Sequence, residues 1–143
     1  MRYGVALSLL FLLCLPAAMS ASAGPAASPD ATGDAVAAAK AWLALIDSGR
    51  IDDSWHETAS LFRRQVSQQQ WKAAVSAARG PYGALVSRRL RGAKYTDSLP
   101  GAPDGHYVVI QFEATYERKR SAIETVTPML EGGGWRVSGY FIR

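Results

Sequence analysis

Beyond residue 33 the chain keeps one hydrophobic rhythm for about fifty residues and then changes to another. Val36, Ala39, Leu43 and Ile46 recur with a period near 3.6, flanked by Trp42 and Leu45, as on one face of an amphipathic helix. Thr32 or Asp34 stands where it can cap the start, and Gly49 stands where a left-handed residue ends it. Ser54 and Glu57 have capping-box spacing and predict a second helix running to about Arg64. Ser67 and Gln70 repeat that logic and predict a third helix to Arg79, stopped by Gly80-Pro81.

After Gly83 the period becomes two. Basic residues are spaced among Leu85, Val86, Leu90 and Tyr95, and Leu99 to Gly105 is Gly- and Pro-rich turn material. Val108, Ile110, Phe112, Ala114 and Tyr116 then share one face of a strand, with Gln111, Glu113, Thr115 and Glu117 on the other. A β-branched run over 121–130 follows, with Pro128 marking an edge or a bulge. The last strand alternates Trp135, Val137, Gly139 and Phe141 against Arg136, Ser138, Tyr140 and Ile142. The predicted fold class is α+β: three N-terminal helices packed on one face of a curved four-stranded antiparallel sheet.

The first residues carry an address. Arg2 precedes an apolar run from Val5 to Leu15, Pro16 ends it, and Ala21-Ser22-Ala23 supplies a small-x-small cleavage pattern. The run is too short to cross roughly 30 Å of hydrocarbon. Cys14 is preceded by Leu13 rather than a small residue and lies inside the run, which argues against a lipid-modified cysteine. The expected organisation is a signal peptide over 1–23, a flexible linker over 24–33, and one domain over 34–143. The expected location is the periplasm or the medium, with no transmembrane helix in the mature chain.

The segments Ala41-Trp42-Leu43, Ile46-Asp47-Ser48-Gly49 and Ser54-Trp55 resemble the opening of the domain of unknown function 4019 family. Ser87-Arg88-Arg89-Leu90, Tyr107 to Phe112 and Glu124-Thr125-Val126 are similar to its middle, and Trp135 to Tyr140 to its end. The resemblance spans roughly residues 36–143. It implies signal-bearing bacterial proteins, no assigned activity, and no catalytic residues to carry over. The order of elements is also similar to the nuclear-transport-factor-2-like cone. That larger fold usually has an extra strand pair where residues 65–66 alone separate the second and third predicted helices, which implies a shallow or open cone.

Composition removes many chemistries. The chain has 143 residues, a single Cys, two His and no Asn, so neither a disulfide framework nor N-glycosylation is available. His56-Glu57 begins like a zinc-protease helix, but Ser60 stands where the second ligand belongs, and no metal or cofactor is implied. His106 reads as a turn histidine. No nucleophile elbow, phosphate loop or dinucleotide fingerprint is present. Trp42, Trp55, Trp71 and Trp135 can pack a core or line an apolar ligand site.

Two constellations remain. Glu113 and Glu124, on neighbouring strands, would face each other across a concave sheet with Arg88 joining them, either as an acid/base pair or as cross-strand ion pairs. From Thr58 to Thr96 eight basic residues occur with no acid, among them Arg88, Arg89, Arg91 and Lys94. Such a stripe serves an anionic envelope component, another protein, or pairing with the chain's own acidic flanks. Export and the lack of an interleaved binding motif disfavour nucleic acid. The functional expectation is an exported, non-enzymatic binding or interaction domain. The alternative is a small cone-fold enzyme, isomerase- or hydrolase-like, using a carboxylate in the sheet pocket.

Overall fold

The computed structural model describes residues 29–143, so the expected signal peptide, Cys14 and linker residues 24–28 lie outside the described residues. Helix α1 runs Pro29–Asp47, earlier in its start than the composition of the linker suggested. Asp30 favours its first turn through the positive end of the helix dipole. Its end is a Schellman motif: Arg50 N donates to Leu45 O at 2.8 Å and Gly49 N to Ile46 O at 3.0 Å, with Gly49 at φ 78°. Among the described residues no helix is long and apolar enough to cross a membrane.

The second predicted helix is two helices, α2 (Ile51–His56) and α3 (Ser60–Gln65), which corrects the expected count of three. Ser54 does not cap a helix; it lies buried inside α2 and ties two indoles together. Trp42 Nε1 donates to its carbonyl at 2.8 Å, and Trp71 Nε1 to its hydroxyl at 2.9 Å. The break at Thr58–Ala59 has a tertiary cause, because Ala59 N donates to Val137 O in the sheet at 2.8 Å. Glu131 then serves the start of α3, accepting from Ser60 N at 2.9 Å. Helix α4 (Gln68–Arg79) begins with the expected capping box, Ser67 and Gln70 satisfying one another's backbone N–H. A single 3-10 turn, Gly80–Tyr82, follows it.

Strands β1 (Leu85–Thr96), β2 (Tyr107–Tyr116), β3 (Lys119–Glu131) and β4 (Gly134–Ile142) form an antiparallel meander in the order β1-β2-β3-β4. The helices cover one face. Ala35, Ala39, Leu43 and Trp71 meet Val108, Ile110, Phe112 and Val126 there in a single buried cluster. Removing each such large side chain from water contributes roughly 1.5–3 kcal/mol.

The strands are not regular. Val86 and Arg91 are extra residues in β1, where the register shifts between Leu85 and Ser87 and again between Leu90 and Gly92. Ser138 is likewise extra in β4 opposite Thr127–Pro128. Each bulge reverses the alternation beyond it. Val137 faces the core, but so does Tyr140, while Phe141 turns outward and is 58% exposed. The expected face of Trp135, Val137, Gly139 and Phe141 is thus divided. Because β4 is an edge strand, Trp135 is only half-buried.

Candidate functional site: a buried ion cluster between helix and sheet

Antiparallel partners share a face, and Glu124 pairs with Phe112 whereas Glu113 pairs with Ile123. The two carboxylates expected to face each other therefore lie on opposite sides of the sheet. Glu113 is on the open face, where Arg89 reaches it at 2.5 Å with side chains 76% and 34% exposed. Glu124 is on the helix-covered face and is 0% exposed.

Arg88 does join Glu124, as expected, because the first bulge of β1 puts it on the inner face. Its Nε donates to Glu124 Oε1 at 2.7 Å. The other carboxylate oxygen accepts from Tyr140 OH at 2.5 Å, a side chain brought inward by the β4 bulge. The remaining nitrogens of Arg88 grip Asp47, the last residue of α1, at 2.6 and 3.1 Å. Arg79, at the end of α4, reaches the same carboxylate at 2.5 Å and lies over the Tyr116 ring, 5.1 Å from its centroid. Two guanidiniums thus meet two carboxylates, and the cluster is neutral within itself.

Protonation follows these contacts. Burial pushes the Asp47 carboxyl up, but the hydrogen bonds and charges of Arg88 and Arg79 outweigh it and hold it below 3.8. Burial, then the charge of Glu124, pushes Tyr116 up to about 12. Tyr140 is raised further for the same reasons, with its bond to Glu124 added. Arg88, despite a burial that would lower it, is raised by its bonds to Asp47 and Glu124.

The basic stripe divides in the same way. Arg79, Arg88, Arg89 and Lys72 pair with acids. Arg63 donates to the carbonyls of Thr58 and His56, and Arg64 to Ser60 Oγ at 3.2 Å. Arg91 and Lys94 are exposed and form no ion pair among the described residues. Arg88, only 12% exposed, is no part of an open anion stripe.

The histidines fall apart from the cluster. His56 stacks edge-on against Trp55, at 5.1 Å between centroids, and His106 shares a hydrogen bond with Tyr95 OH. Among the described residues no three His, Cys, Asp or Glu side chains gather as a metal would need. Trp42 and Trp71 are core residues that pack on Tyr140. Trp42 and Trp135 also line a cleft of about 450 Å³ between α1, α2 and β4, rimmed by Arg50, His56 and Glu57.

Asp47, Tyr140 and Tyr116 were not among the candidates read from the sequence. Asp47 had one legible signal, since an acid in the last turn of a helix opposes the dipole and needs a cation to hold it. Tyr140 had none, because the bulge that turns it inward leaves no mark in the alternation.

Fold and site together define a class: an α+β domain in which helices cover one face of an open four-stranded antiparallel sheet and a self-neutralised ion cluster joins the layers. Residues 38–140 match the family model described as "Protein of unknown function (DUF4019)", and the chain belongs to that family. No curated protein and no solved structure matches it.

Proposed function

We propose that the chain is an exported, non-enzymatic binding or interaction domain of the bacterial cell envelope, built on an abbreviated nuclear-transport-factor-2-like plan. The observation that carries this reading is Glu124. Among the described residues it is the one fully buried carboxylate, and Arg88 and Tyr140 occupy both its oxygens. A general acid or base must come within hydrogen-bond reach of its substrate. Glu113, on the other face, cannot supply the partner that acid/base chemistry would need. The open cleft lined by Trp42 and Trp135 and the exposed cations Arg91 and Lys94 leave surface for a small ligand, an anionic envelope component or a protein.

The test is to isolate the chain from its native host by cell fraction and measure it by mass spectrometry. The reading expects an N-terminus near Gly24 in the envelope or secreted fraction, and a bound compound released with its mass unchanged. An intact Met1 in the cytoplasm, or a lipid on Cys14, would end the export reading. Turnover of a compound that Glu124→Gln abolishes in a folded chain would favour the cone-fold enzyme instead.

A further inference from the structure

Asp47 stands where the local field opposes it. It closes α1 at the end where the carbonyls lack partners and the partial charge is negative. Yet its side chain is only 20% exposed and it holds two guanidiniums. It satisfies Arg88 but not Arg79. Arg79 Nη1 is buried without a hydrogen-bond partner, and the Arg79 side chain is only 10% exposed. Buried polar groups are nearly always paired, so this nitrogen marks an incompletely filled site.

A cleft of about 370 Å³ opens beside these residues, with Asp47 and Arg79 at its polar end. Its walls are apolar, formed by Ile46, Ile51, Val75 and Leu85, and that volume is in the range of small-ligand sites. Lys72 stands at the mouth, 65% exposed and only loosely paired with Asp52 at 3.7 Å.

We propose that this cleft binds a monocarboxylate with a short apolar chain, its head group taking the place that Asp47 now holds between Arg79 and Arg88. Asp47 is then an internal surrogate for the ligand. A free carboxylate, untethered to α1, can turn to face both terminal nitrogens of Arg79 as a planar fork. Exchange of one carboxylate for another keeps the cluster neutral when Asp47 swings out toward water, whereas a phosphate dianion would add uncompensated charge beside Glu124. The apolar walls select a chain on the head group. This assignment rests on the proposed binding function and gives it a ligand class.

The test is a titration of the full chain with octanoate, followed by calorimetry and by the methyl resonances of Ile46, Ile51, Val75 and Leu85. The wild type should bind with shifts at those methyls. Asp47→Ala, which vacates the head-group position, should bind more tightly than the wild type, because a competing internal state is removed. Arg79→Gln should weaken binding by at least about tenfold, by loss of a charge-assisted pair. Ser76→Trp, at an exposed position on the cleft wall, fills the cleft from the solvent side, should abolish binding and keeps the test valid should Arg79→Gln fail to fold. Inorganic phosphate should leave the methyls unmoved. Unshifted methyls in both wild type and Asp47→Ala, or octanoate binding that Ser76→Trp leaves intact, would overturn the assignment. Shifts confined to the cleft of Trp42 and Trp135 would overturn it too, while leaving the broader binding function standing.

Discussion

Arg88 and Arg89 are neighbours in sequence with the same side chain, and each pairs with a glutamate from the middle of the sheet. Arg88 turns inward, and its pair with Glu124 leaves those side chains 12% and 0% exposed. Arg89 turns outward, and its pair with Glu113 leaves them 76% and 34% exposed. Water screens the outer pair and leaves its contribution small. The inner pair has lost its hydration and depends on every remaining hydrogen bond in the cluster. One step along a strand separates a structural keystone from surface decoration.

Arg88→Ala tests that contrast hardest, because it strands Glu124 and removes most of what holds Asp47. It should cost about 3–5 kcal/mol, read as a lowered denaturant midpoint. A loss below about 1 kcal/mol would place the inner pair in the same regime as surface ion pairs and dissolve the contrast. Tyr140→Phe removes only one bond to the buried carboxylate and should cost about 1.5–3 kcal/mol. Arg89→Gln, on the outer face, should change stability by less than about 1 kcal/mol, and less still at high salt. Replacing Arg91 and Lys94 together with Gln should leave the midpoint unchanged. It should weaken salt-sensitive retention on heparin if those cations serve an anionic partner.

The pH profile sharpens the comparison from both ends. Asp47 is depressed below 3.8 in the fold, so its contribution is present above that value and is lost as pH falls through the lower folded value. Asp47→Asn should flatten that acid limb. Tyr116 is raised from 10.0 to about 12, so the folded state holds its proton longer than the unfolded one. Stability should therefore decline between those two values, and Tyr116→Phe should remove part of the decline. Arg89→Gln should leave the Asp47-dependent acid limb unchanged.

The alternation of Val108 to Tyr116 was legible because β2 is paired on both sides, and one face of it is buried throughout. The capping box of Ser67 and Gln70 was legible because it is local. What could not be read was set by partners distant in sequence. The break between α2 and α3 depends on Val137 O, and the Ser54 and Glu57 spacing, though permissive for a cap, lost to the burial of Ser54 between two indoles. The bulges were invisible for a related reason. An extra residue such as Arg91 or Ser138 has ordinary chemistry and is recognised only against the strand beside it. Arg88 and Glu124 were legible as candidates but not as an enclosed pair. Nothing in their spacing shows that α1 brings Asp47 over them.

The sheet is a chain of hairpins, each joining neighbours in sequence, but the cluster ties α1 to α4 and to β1, and β1 to β3, across 32, 41 and 36 residues. Loop closure makes such contacts entropically expensive before anything rewards them, so they belong on the far side of the folding barrier. Substitutions at Arg88 or Asp47 should therefore leave the refolding rate nearly unchanged and speed unfolding. The ions that join helix to sheet would then set how long the domain stays folded rather than how fast it arrives.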